Sequence, residues 1–157
     1  MWHVRALRTI DAPMSDPAAR PLVAVGIVVI NREGKVLIGE RLASHGAGTY
    51  QIPGGHMEFG KTFEEVARDE VREETGLTDI EFKGVIGLSN ERIYGKHYVN
   101  VLFQVECKSG EPGNPEPEKS RNWRWYSPDN LPSPIFPPSA AALTAWRTGV
   151  FLQEIEA

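Results

Sequence analysis

Between Thr62 and Gly76 the chain spells a helix with carboxylates on the side that should be apolar. Thr62 with Glu65 three residues on is a capping box, and Gly76 stands where a left-handed C-terminal cap belongs. At about 100° per residue, Phe63, Val66, Ala67 and Val71 mark one apolar face. Glu70 and Glu74 fall inside that face and Glu73 lies on its edge. Such a helix must lie against an apolar layer, so the rest of the chain has to supply one. Three acids then converge where mutual repulsion and desolvation both work against them. Acidic runs usually face water; these point the other way and call for a positive partner. Clustered oxygen ligands suit a hard cation such as Mg²⁺, with Mn²⁺ as a substitute, and leave positions for water and phosphate oxygens. Pro53-Gly54-Gly55 ahead of the helix fits the same chemistry, because glycine lets main chain approach a ligand closely. A metal and phosphate site is what these residues imply.

The remaining composition narrows the setting. A chain of 157 residues suits one domain, expected over residues 21–157, with 1–20 as a flexible extension. In that extension Arg5, Arg8 and Arg20 with Trp2, Leu7 and Ile10 have the look of an organellar presequence, but Asp11 and Asp16 do not. Met14 is an alternative start. With 21 acidic against 17 basic residues the net charge is -4, which argues against a surface that coats a nucleic-acid polymer. The lone Cys107 forms no internal disulfide and points to a reducing compartment, the cytoplasm. No apolar run approaches about 18 residues, so no membrane span is expected.

Along the chain, Leu22 to Ile30 and Val36 to Arg41 read as two strands joined by a turn at Asn31 to Gly34. Ser44 to Thr49 is a small-residue loop. An extended segment starts at Ile80 and runs to Ile86, and His97 to Cys107 alternates with Val99, Val101, Phe103 and Val105 on one side. His97, Asn100 and Gln104 interrupt that pattern; such residues are usually hydrogen-bonded sheet members, and His97 is a candidate for substrate contact. Lys108 to Lys119 is a charged Gly/Pro loop, Trp123 to Tyr126 a strand, and Ser139 the cap of a final short helix through Ala145 and Arg147. Leu143 and Trp146 of that helix are expected to close the sheet edge. Composition alone gives α and β elements without their order.

The stretch GGHMEFGKTFEEVARDEVREETGL resembles the Nudix box of the MutT-like hydrolases. Registered on Gly55, the residues Glu70, Val71, Glu73, Glu74, Gly76 and Leu77 all stand where that pattern asks. Two positions depart: Lys61 replaces a Glu and Asp69 replaces an Arg. The signs are exchanged, so the two residues could form one reversed ion pair, although Asp69 could equally pair with Arg72. An acid at 69 in place of Arg is also expected to raise the pKa of its carboxylate neighbours. A second segment, EPEKSRNWRWYSPDNLP, together with GGHMEFG and His97 to Val99, is similar to the cytosolic nucleoside-triphosphate diphosphatase branch, so the likeness spans Pro21 to Pro138.

The resemblance implies an α/β fold, a Nudix-type α/β/α sandwich with a mixed curved β-sheet. It implies Mg²⁺-dependent hydrolysis of a small phosphorylated substrate, a nucleoside 5′-triphosphate split to monophosphate and pyrophosphate. Glu73 and Glu74 would hold metal, Glu70 would be ligand or base, Gly55 would lend its carbonyl, and Glu118 would join the metal late. Arg41 would contact phosphate, with His56, Thr49 and His97 near the substrate, and Tyr50 and Phe136 in the far pocket. Hydrolysis of a pterin triphosphate or isoprenyl diphosphate, and a binding module without turnover, remain alternatives. A homodimer is left open, because the resemblance carries no evidence for one in this chain.

Overall fold

The computed structural model describes residues 19–156. The expected extension and Met14 lie outside the described residues, apart from the end of the extension at Ala19 and Arg20. Within them run, in order, β1 Leu22–Asn31, β2 Val36–Arg41, β3 Tyr50–Gln51, β4 Gly54–His56, α1 Phe63–Thr75, β5 Ile80–Ile93, β6 Lys96–Cys107, β7 Ser120–Tyr126, α2 Pro137–Thr148 and β8 Leu152–Glu156. The strands form one mixed sheet in the order β3-β2-β1-β6-β5-β8, with β4 also on β1 and β7 also on β2.

β1 is the spine of this sheet. It runs parallel to β6 over its whole length, from Leu22 opposite Tyr98 to Asn31 opposite Cys107, and antiparallel to β4. Its near-continuous apolar sequence follows from burial on both faces. Val25, Ile27 and Val29 point to one side, where they meet Val66, Ala67 and Val71 of α1 together with Phe103 and Val105 of β6. Val28 and Ile30 point to the other, against Ala142, Leu143 and Ala145 of α2. The two helices therefore cover opposite faces, which is the sandwich the resemblance implied.

α1 begins and ends as its sequence dictates. Glu65 N–H donates to Thr62 Oγ1 while Glu65 accepts from the Thr62 N–H at 2.7 Å, and Gly76 caps the C-terminus at φ 78° with its N–H on the Arg72 carbonyl. Three expectations need correction. The extended segment that starts at Ile80 runs on to Ile93, two register shifts letting it bend along β6. α2 starts at Pro137 and not after Ser139, because Pro137 and Pro138 fill first-turn positions that need no N–H donor. Ser139 is freed from capping, and its buried Oγ accepts the Ile52 N–H at 3.1 Å instead. Finally, α2 covers a face of the sheet, and its edge belongs to β8, a strand the sequence reading did not identify, paired in parallel with β5.

Candidate active site

Gly54 and Gly55 are the hinge of the site. They pair with Gly26 and Val25 of β1, and no side chain fits where they lie. A Cβ on Gly54 would come within 2.5 Å of the Val25 carbonyl oxygen, and one on Gly55 would fall on the Glu70 carboxylate. The Glu70 carboxylate thus occupies the space that a side chain at position 55 would need.

The helix brings its acids to this strip to different depths. Glu74 is 8% exposed; its Oε1 faces the Gly54 N–H at 3.4 Å, and its buried Oε2 has no partner among the described residues. Burial pushes the Glu74 carboxyl well above the usual range, and Glu70 adds to the shift. Glu70 is half-buried and is raised to about 7, chiefly by burial, then by Glu73 and Glu58. Glu73 is exposed, with Arg72 at 3.7 Å. Asp69 raises its carboxylate neighbour Glu65, whose carboxyl is nevertheless held down by Thr62, and it is not among the leading charges on Glu70; its own charge is held by Lys61 at 2.8 Å and Arg72 at 2.8 Å. Both partners left open by the sequence are realised together. Lys61 also reaches Glu58 at 2.9 Å, so the loop ahead of α1 is fastened to its second turn.

Of the acids flanking Pro117 in the loop before β7, Glu116 is half-buried and its charge bears on both Glu70 and Glu74, together with the opposing charge of Lys119. Glu118 is exposed in the turn. The geometry thus brings Glu116 to the acids where the resemblance suggested Glu118. Sequence spacing could not separate them, since both stand beside Pro117.

On the other side of Gly54 and Gly55, toward α2, lies a cavity of about 300 Å³. Arg41 and His56 both line it. The Arg41 guanidinium sits 4.2 Å from the Phe136 ring centre, donates to the His45 carbonyl and donates to Gln51 Oε1 at 2.7 Å; burial lowers its pKa. The His56 ring stacks on Tyr98 and lies 3.1 Å from its hydroxyl. Phe136 also stacks on Tyr94 at 6.1 Å, forming an aromatic wall. Thr49 and His97 are not brought to the cavity. Thr49 Oγ1 closes its own loop on the Gly46 carbonyl at 2.6 Å, and His97 is exposed on the sheet, 2.7 Å from Asn90 Oδ1. Strand alternation explains the latter: Lys96, Tyr98 and Asn100 line the cavity, and His97 lies between them in the opposite phase. Tyr50 packs into the core layer beneath α2.

The sequence reading missed Tyr94, His45 and Glu91. Glu91 carried no usable signal, because the segment after Ile86 was not read as strand. Asn100 did give one, as a polar break in an apolar pattern.

Among the described residues no three His, Cys, Asp or Glu side chains are drawn into a ready-made cation cage. The donor chemistry nevertheless fits a divalent ion. An unpartnered buried oxygen of Glu74, the Glu70 carboxylate held on Gly55, and Glu73 one turn from Glu70 give hard oxygen ligands.

The chain as a whole has known relatives. The NUDIX domain family profile matches residues 20–147. The chain is 32% identical over 118 residues to 8-oxo-dGTP diphosphatase of Escherichia coli K12, covering 74% of this chain and 88% of that protein. It is 29% identical over 107 residues to oxidized purine nucleoside triphosphate hydrolase of Danio rerio, covering 68% and 67%. Among solved structures, a MutT NUDIX hydrolase from Burkholderia pseudomallei superposes with a TM-score of 0.71 at 26% identity, covering 81% of this chain and 98% of the other. The chain belongs to the NUDIX domain family, and within it to the Nudix pyrophosphohydrolases.

Proposed function

We propose that the protein hydrolyses a nucleoside 5′-triphosphate to the monophosphate and pyrophosphate with Mg²⁺. The observation that carries this reading is the shared wall of Gly54 and Gly55, which has an aromatic-lined cavity on one side and the Glu70 and Glu74 carboxylates on the other. A planar, phosphorylated molecule fits two such compartments joined by bare main chain. The names of the relatives from E. coli and Danio rerio, both acting on nucleoside triphosphates, support the same substrate class.

In the reaction water adds to phosphorus, a bridging P–O bond breaks, pyrophosphate leaves and one proton is released. Glu70, poised near neutrality, is suited to take that proton. Glu73, Glu74 and the Gly55 carbonyl would hold the cation, with Glu116 nearby. When bound, a divalent ion lowers the pKa of water and neutralises charge developing on the bridging oxygen. Arg41 spends two of its N–H groups inside the protein and keeps others for phosphate oxygens. The free, buried Cys107 supports a reducing, cytoplasmic setting, and among the described residues no helix is long and apolar enough to cross a membrane. The test is a panel of nucleoside, pterin and isoprenyl phosphates with and without Mg²⁺, the products resolved by phosphorus NMR. Metal-dependent monophosphate and pyrophosphate are expected; orthophosphate with a diphosphate would count against the reading.

A further inference from the structure

The floor of the cavity holds an acid that the catalytic reading does not use. Glu91, on β5, is 4% exposed and lines the cavity together with Asn100 of β6, which is also 4% exposed. Glu91 Oε1 accepts from Ser89 Oγ at 2.6 Å and from Asn100 Nδ2 at 3.0 Å, which uses both lone pairs of that oxygen. Among the described residues, none donates to Oε2. Of the cations around it, Arg92 pairs with Glu154 and Glu156, Arg41 with His45, Gln51 and Phe136, and Lys96 lines the cavity without an ion pair to Glu91. Oε2 is not among the sealed polar atoms and stays open to the cavity, so a ligand that fills the cavity and excludes its water must donate to Oε2 or leave it unsatisfied.

We propose that Glu91 selects the planar end of the substrate, accepting through Oε2 from a heterocycle with a ring N–H beside an exocyclic amino group, as in guanine. The inference deepens the function proposed above and rests on it for the phosphorylated half of the molecule. The stacked rings of Tyr94 and Phe136 offer such a heterocycle a face, and Ser89 and Asn100 fix the carboxylate so that its free oxygen stays available. Oε2 has two lone pairs, enough for both donors of that edge. An isoprenyl chain would leave it unpaired, and sites built around a buried polar group reject ligands that cannot satisfy it.

The test compares guanosine and inosine 5′-monophosphates, which differ by the exocyclic amino group, in calorimetric titrations of the wild-type protein and of Glu91→Gln. Gln keeps an oxygen for Ser89 and Asn100 but turns an N–H₂ toward the ligand. The wild type should bind guanosine about tenfold more tightly than inosine, the scale of one hydrogen bond in a desolvated site. Glu91→Gln should lose that preference while melting close to wild type. Equal affinities in the wild type, no measurable binding of either monophosphate, or an unchanged preference in a folded Glu91→Gln would each overturn the assignment. Should the variant not fold, the wild-type pair decides alone. A guanosine preference without turnover of any triphosphate would uphold Glu91 and defeat the proposed function. Turnover of triphosphates without the preference would do the reverse.

Discussion

Lys61 Nζ lies 2.8 Å from Asp69 Oδ2, which ties the loop leaving β4 to the second turn of α1. The Asp69 charge is stabilised first by that hydrogen bond, which holds its carboxyl below the usual range and pushes the Lys61 ammonium up. Both groups remain partly exposed, so the pair matters for where it holds the loop more than for global stability. Lys61→Glu and Asp69→Arg should each lower turnover by themselves, and the double exchange should restore much of it. Steady-state kinetics of all four proteins checks this; additive losses would show that the contact does not position the acids.

Removing the charge of Glu73 or Glu74 should cost turnover about a hundredfold or more, the scale seen when a metal ligand or acid-base group is lost. The two differ in stability. Glu74→Gln takes away a buried carboxylate with one oxygen unpartnered among the described residues and should raise the metal-free melting temperature, while Glu73→Gln, at the surface, should leave it nearly unchanged. Melts with and without Mg²⁺ test both: the wild type should gain more from the ion than either variant.

A carboxyl raised in the folded state keeps a proton that the unfolded chain releases near its own pKa of about 4.3. For Glu70, held up to about 7, metal-free stability should therefore be greatest below the unfolded value and fall as pH rises through neutrality. Activity that needs the ionised form should rise as pH passes through neutrality and place the optimum on the alkaline side. Melts of wild type and Glu70→Gln from about pH 4 to 9 check the sign, with a shallower decline expected in the variant.

Gly55→Ala places a methyl on the Glu70 carboxylate and forces it away. Misplacement of about 1 Å at a reacting group costs on the order of a hundredfold in rate. Turnover should drop by that order while the thermal transition remains cooperative; unaltered turnover would show that Glu70 need not touch this backbone.

Local chemistry made much of this legible from sequence. The capping box, the C-terminal glycine and the carboxylates inside the apolar face of α1 are set by neighbours a few residues apart, and each stands where the spacing put it. The reversed Lys61 and Asp69 pair could be suggested but not placed, because it depends on a loop folding back. Glu91 was beyond reach for a related reason: its burial comes from β6 and the layer over it, and nothing within its own segment marks it. Ser139 misled because a serine ahead of helix-forming alanines reads as a cap, whereas the two prolines before it start the helix earlier.

The segment from Pro134 to Ser139 is sewn to Tyr50 and Ile52 by three bonds: Tyr50 N–H to the Pro134 carbonyl at 2.9 Å, Phe136 N–H to the Tyr50 carbonyl at 2.8 Å, and Ile52 N–H to Ser139 Oγ at 3.1 Å. Two of these involve main chain alone, so they hold for any residue but proline at position 136. The wall of the cavity can consequently be exchanged while the carboxylates on the opposite face of the sheet keep their places. Ligand choice and bond cleavage are in that sense separately heritable, and a library confined to residues 134–138 should yield changed preferences without loss of the hydrolytic apparatus.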